Sequence, residues 1–181
     1  MTVKTLALRF TIIISLSMIL GNALFAQQKA GTLFDLHKFA GKWSLDEKRS
    51  DFGPNNAKEY RNTYWSINVN GDEITIGKHY EPGSRLRSYE LKLLANNEGE
   101  ENIVPEYNRN TSFSVRSRTL IKKNRLLRRY NTNSEPIAIE SSTKEQFYLS
   151  NDGSLIFESV SSIPGISPTP STFKLVFNRM N

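Results

Sequence analysis

Apolar and polar residues alternate along much of this chain, and turn-forming residues interrupt the alternation at short intervals, the pattern of antiparallel strands joined by hairpins. Between Tyr64 and Ile76, the residues Trp65, Ile67, Ile74 and Ile76 share one face, with Asn70-Gly71 between the two halves. A two-residue type I′ turn on Asn70-Gly71 sets Ile67 opposite Ile74 and Trp65 opposite Ile76. Around Asn151-Asp152-Gly153 the faces decide the loop length. A two-residue loop would set Phe147 against Glu158, whereas a three-residue loop with Gly153 left-handed pairs Leu149 with Leu155 and Phe147 with Phe157, so the longer loop is predicted. A third hairpin turns at Lys123-Asn124, where Ile121 meets Leu126, Leu120 meets Leu127 and Arg118 falls opposite Arg129.

Further strands are predicted over 85–94, with Tyr89, Leu91 and Leu93 inward, and over 172–178, with Phe173, Leu175 and Phe177 inward. Residues 96–106 read as an acidic loop. The segment Ile163-Pro164-Gly165-Ile166-Ser167-Pro168-Thr169-Pro170 reads as a connection, because proline cannot donate to a central ladder. These elements predict an all-β domain, a single antiparallel up-and-down β-barrel of about eight strands, which removes exposed sheet edges. A two-sheet β-sandwich is the alternative.

The first 26 residues break the pattern. Lys4 and Arg9 precede an apolar run from Phe10 to Leu20, followed by Gly21-Asn22-Ala23-Leu24-Phe25-Ala26, the layout of a secretory signal peptide cleaved near Ala26. The run is shorter than the roughly 20 residues a membrane span needs, so no stable membrane insertion is predicted. The expected organisation is a signal peptide over 1–26 and one barrel domain over 27–181, secreted or periplasmic.

The chain has no cysteine, which excludes a disulfide framework, a thiol nucleophile and cysteine-ligated metal. Its net charge of +6 falls to +4 without Lys4 and Arg9. That small excess, with an exported location, argues against a nucleic-acid partner.

At Phe34-Asp35-Leu36-His37-Lys38-Phe39-Ala40-Gly41-Lys42-Trp43 the chain resembles the opening motif of lipocalins and other calycins. The following residues to Pro54, and Glu145-Gln146-Phe147-Tyr148-Leu149-Ser150-Asn151-Asp152-Gly153-Ser154-Leu155, are similar to a group of secreted, largely uncharacterised bacterial lipocalin-like proteins. The resemblance implies a barrel whose first strand opens at Gly41, whose Trp43 plugs the closed end, and whose last strand region supplies Arg179 to pack on that indole.

Candidate chemistry is sparse. His37 in the N-terminal turn reads as a cap or surface residue, and His79 faces away from the Trp65–Ile76 side. Glu98-Gly99-Glu100-Glu101 lacks the ligand spacing of a calcium loop and reads as solvated. No phosphate-cradling motif is present. The inward aromatics Trp65, Tyr89, Phe147 and Phe157 could line a pocket or fill a solid core.

Charge segregation is the least ordinary feature. Between Tyr107 and Ser134 there are eight basic residues and no acidic one: Arg109, Arg116, Arg118, Lys122, Lys123, Arg125, Arg128 and Arg129. Facing inward, Arg116, Arg118 and Arg129 would anchor a ligand carboxylate or phosphate; facing outward, they would form a patch for an anionic surface. The bland alternative is a solvated edge whose charge discourages strand pairing.

The sequence therefore predicts a secreted, non-enzymatic binding protein with no cofactor and no metal. Its ligand would be small and apolar or amphipathic, with an anion anchored by those arginines. The second expectation is an envelope or extracellular protein-interaction module with a solid core, using hairpin 109–130 to bind an anionic envelope surface. An enzyme ranks third.

Overall fold

Turn chemistry and alternation produce ten strands: β1 (Gly41–Leu45), β2 (Tyr64–Asn70), β3 (Glu73–His79), β4 (Tyr89–Leu94), β5 (Glu100–Pro105), β6 (Ser112–Lys122), β7 (Arg125–Ser134), β8 (Ile139–Leu149), β9 (Leu155–Ser162) and β10 (Ser171–Arg179). The computed structural model describes residues 34–134, 139–167 and 169–181, and the predicted signal peptide with its Ala26 cleavage site lies outside them. Within the unit from Leu36 to Asn181, all ten strands belong to one antiparallel sheet ordered β4-β3-β2-β1-β10-β9-β8-β7-β6-β5. Each strand pairs with its sequence neighbour except at β4 and β5, and the first pairs with the last, so the meander curls into an up-and-down barrel that is nearly closed. The strand count of ten corrects the expected eight, and a two-sheet sandwich is excluded by the single continuous sheet.

The hairpins show how locally the fold is encoded. Leu149 pairs with Leu155 and Phe147 with Phe157 across the predicted three-residue loop, whose Gly153 has φ 81°. Lys123 and Asn124 both take positive φ, as a type I′ turn demands, and Arg118 pairs with Arg129. The β2–β3 hairpin keeps the predicted face but not the predicted register. Asn70 pairs with Glu73 and Ile67 with Ile76, so the loop is Gly71-Asp72, in which Gly71 alone has a positive φ, of 60°. A glycine-first turn has replaced the Asn-Gly one, and a two-residue slip leaves every side chain on its original face.

The predicted acidic loop over 96–106 is in large part strand β5. Its alternation is inverted: Glu100 and Asn102 are buried while Ile103 is 63% exposed. No ladder joins β5 to β4, the two ends of the sheet order. The Asn102 carboxamide closes the gap instead, accepting from the Lys92 amide at 2.7 Å and donating to the Lys92 carbonyl at 2.8 Å. It imitates a strand's peptide group, satisfying edge groups that would otherwise be orphaned. The Leu94 amide donates to Glu100 nearby at 3.4 Å.

At one end of the barrel a short 3-10 turn, Leu36–Phe39, leads into β1. Trp43 is fully buried there and donates its indole N–H to the Phe39 carbonyl at 2.8 Å. The Arg179 guanidinium lies 4.4 Å above that ring and donates to the Ala40 and Lys38 carbonyls at 2.8 and 2.6 Å. Gly41 admits this: φ is +133°, and a β-carbon would sit 2.9 Å from Arg179 Nη1. Above the plug, Trp65 packs on Phe177 and Phe157, with ring centroids 4.3 and 5.3 Å away, and Phe147 on Phe157 at 4.9 Å. Among the described residues, no helix is long and apolar enough to cross a membrane.

Candidate ligand-binding site

The inward face of the barrel changes from apolar to polar along its strands. On β3 the inward series Ile74, Ile76 ends at Lys78, which is only 5% exposed. On β7 the inward Leu126 is followed by Arg128, 3% exposed, and on β8 Phe147 is preceded by Glu145 and Thr143. Two buried cations therefore stand inside the barrel, and their surroundings differ sharply.

Arg128 is paired with carboxylates through Nη1 and Nε, while its Nη2 is buried without a partner among the described residues. Its Nη1 donates to Glu145 at 2.8 Å, its Nε donates to Ser117 at 2.9 Å, and Glu100 lies 3.9 Å from Nε. Glu100 in turn accepts from Ser117 and Thr119, each at 2.7 Å. Tyr130 donates its hydroxyl to Glu145 at 3.2 Å and places its ring 4.4 Å from the guanidinium. Burial disfavours the charge on Arg128, but Glu145 more than compensates and its pKa is raised. The Tyr130 phenol is pushed up by burial and then by Glu145. This network occupies the β5–β8 side of the interior.

Lys78 has no such partner. Its Nζ sits over Trp65 at 4.8 Å, Phe157 at 5.0 Å and Tyr89 at 5.3 Å, and among the described residues no carboxylate lies within ion-pairing distance. Cation–π attraction offsets part of the cost of burying it, about 2 kcal/mol for a desolvated contact, but supplies no counter-charge.

Beside this ammonium is a cavity of about 170 Å³, walled by Trp65, Phe157, Phe173, Tyr60, Tyr80 and Tyr89. Its hydrogen-bonding character is one-sided. The hydroxyls of Tyr60, Tyr80 and Tyr89 make no hydrogen bond to a described residue, and Trp65 Nε1 is buried without an acceptor. Burial pushes the Tyr60 phenol up to about 12 and raises Tyr80 and Tyr89 further, so all three remain donors at neutral pH. Arg87, Glu106 and Glu145 also border the cavity, but Glu145 is already held by Arg128 and Tyr130 and Glu106 by Thr111 and Arg109. A positive charge, several free donors and aromatic walls together suit an anion with an apolar body.

Of the residues singled out in the sequence, Trp65, Tyr89 and Phe157 line this cavity, while Phe147 lies in the packed core against Trp65 and Phe157. The interior is neither an open sac nor wholly solid. Arg116, Arg118 and Arg129 are exposed, on the strand positions opposite to the inward Ser117, Thr119 and Arg128. As an interior anion anchor they are therefore corrected: the parity of β6 and β7 sends Arg128 inward and its neighbour Arg129 outward. Outside, Arg116 pairs with Glu101 at 3.3 Å, and Arg118, Arg129 and Lys144 form a lateral row in register. These arginines border an open outer groove with Gly99 and Asn131. His79 faces outward, stacked on Tyr64 at 4.3 Å and 3.1 Å from the Ser66 hydroxyl. Among the described residues no cluster of three or more His, Cys, Asp or Glu is placed to hold a metal.

Sequence reasoning missed Lys78, Tyr60, Tyr80 and the Arg128–Glu145 pair. A usable signal existed for Lys78 and Arg128: each lies two residues beyond an inward apolar residue, Ile76 and Leu126, on the same face of its strand.

The fold is thus that of a small up-and-down barrel, an architecture compatible with a binding protein. No family model matches the chain, and no curated protein matches its sequence. Among solved structures it is similar to one described as "REP1-NXSQ fatty acid transporter", at 10% identity over 78% of this chain and 96% of that one, with a TM-score of 0.49. The fold assignment rests on the strand ladder rather than on that likeness.

Proposed function

We propose that this protein is an exported, non-enzymatic, lipocalin-like carrier that reversibly binds a small amphipathic acid inside its barrel. One observation carries the reading: Lys78 is buried at a cavity wall among three aromatic rings, and among the described residues no carboxylate pairs with it. A ligand carboxylate would supply the missing counter-charge, the free phenols would donate to its oxygens, and the rings would cover its body. The lipocalin-like relationship draws support from the Gly41–Trp43–Arg179 arrangement at the barrel end, and export from the pattern of residues 1–26.

Native mass spectra of the full-length expressed protein, recorded after incubation with a metabolite extract and washing, test the reading. A discrete retained mass addition is expected; a bare protein mass across repeated extracts would contradict it. The same spectra report whether the N-terminus is removed near Ala26 during export.

A second reading has its own observation. Arg118 pairs with Arg129 and Arg129 with Lys144, three like charges side by side on adjacent strands, an unfavourable arrangement that an outer polyanion would relieve. It supports a docking patch for an anionic envelope surface. Sedimentation with anionic-lipid vesicles, compared between the native protein and Arg118→Ala/Arg129→Ala, tests it; equal sedimentation would remove this reading.

A further inference from the structure

The dimensions of the cavity narrow the ligand class within the reading above, on which this inference rests. We infer that the cavity takes a single-ring aromatic carboxylate rather than a long-chain acid. Its volume is about 170 Å³. A buried apolar cavity of about 150 Å³ is known to admit one benzene ring, whereas pockets for larger ligands span roughly 300–1,000 Å³. The interior beneath it is occupied by aromatic rings: Trp65 packs against Phe147 and Phe177, and Phe147 against Phe157.

Wall chemistry agrees with the volume. Trp65, Tyr80, Tyr89, Phe157 and Phe173 present π faces and edges, which reward a ring in offset or edge-to-face contact more specifically than they reward a flexible chain. A rigid ring also loses less conformational freedom on entry than an alkyl chain does. The carboxylate belongs at Lys78, with the phenol hydroxyls as additional donors. A neutral ring would leave that ammonium uncompensated, so the acid group is part of the specificity.

The chain contains two tryptophans, Trp43 and Trp65, and only Trp65 lines the cavity. Emission of the Trp43→Phe protein, expressed from the full coding chain, therefore reports on the site. Titration with benzoate, phenylacetate, hexanoate, palmitate and benzyl alcohol is the test. Saturable changes are expected with benzoate or phenylacetate at concentrations about tenfold or more below those needed for the other three. Lys78→Met in the same background should weaken the aryl acids by about tenfold or more and leave benzyl alcohol little changed.

Tighter binding of palmitate or hexanoate than of either aryl acid would overturn the ring-sized inference while leaving an acid carrier in place. Benzyl alcohol binding as tightly as benzoate would overturn the role of the acid. No saturable response to any compound would overturn this inference and the carrier reading together. Because the ranking is read on a protein that retains Lys78, it stands even if the Lys78→Met chain fails to fold.

Discussion

At the scale of single residues, the interior is organised by which buried charge has a partner. Arg128 is held by Glu145 and Ser117 with Glu100 close by, and such a matched group stabilises only while intact. Glu145→Gln removes the charged acceptor of Nη1 and leaves Glu100 as the remaining counter-charge. Urea denaturation should show a loss of about 3 kcal/mol, the low end for breaking a buried pair because Glu100 persists. An unchanged midpoint would mean that the network contributes nothing to folding. Lys78, by contrast, is a buried charge that among the described residues meets π faces and no paired carboxylate, a condition that marks it as a candidate functional group. The sequence made Trp65, Tyr89 and Phe157 visible through alternation, but a lysine in an apolar stripe resembles a strand end and passes as solvent-facing. The parity of Lys78 with Ile76 points inward, and its three-dimensional neighbours from β2, β4 and β9 show what it is buried against.

Strands and hairpins were legible wherever a turn carried its own chemistry. Asn151-Asp152-Gly153 fixed its register because, of the two- and three-residue loops, the longer matched apolar residues across the ladder, and Lys123-Asn124 set Ile121 against Leu126. Asn70-Gly71-Asp72 offered two turns of the same length, and local sequence could not rank them. Strand β5 was illegible for a different reason. Its inward residues Glu100 and Asn102 are polar because they serve the Arg128 network and the seam with β4, functions that exist only once the sheet has curled. Asn102→Ala should therefore speed hydrogen exchange at the Lys92 amide and cost about 1 kcal/mol, by orphaning a part-buried donor and acceptor. Slow exchange at Lys92 in that variant would show that β4 and β5 are held together by other means.

For the whole molecule, the buried Tyr60 and the half-buried Tyr80, Tyr89 and Tyr130 link the barrel to pH. Tyr60 is raised from 10.0 to about 12, chiefly by burial, and Tyr80, Tyr89 and Tyr130 are raised by the same cause. In the unfolded chain these groups ionise near their ordinary value of about 10, so above that pH the unfolded state binds fewer protons than the folded one. The stability they contribute is complete below pH 10 and is lost as pH rises toward 12 and beyond. Melting temperature should accordingly fall between pH 9 and pH 11.5, and phenolate absorbance should rise together with unfolding. Phenolate appearing near pH 10 in a still-folded barrel would show that these rings reach solvent. The central claim concerns where the acid sits, and a crystal structure of the protein with benzoate tests it most directly. The account predicts a carboxylate oxygen about 2.7–2.9 Å from Lys78 Nζ with the ring between Trp65 and Phe157. Benzoate found only over the outer Arg118–Arg129 face, with the interior cavity unchanged, would contradict it.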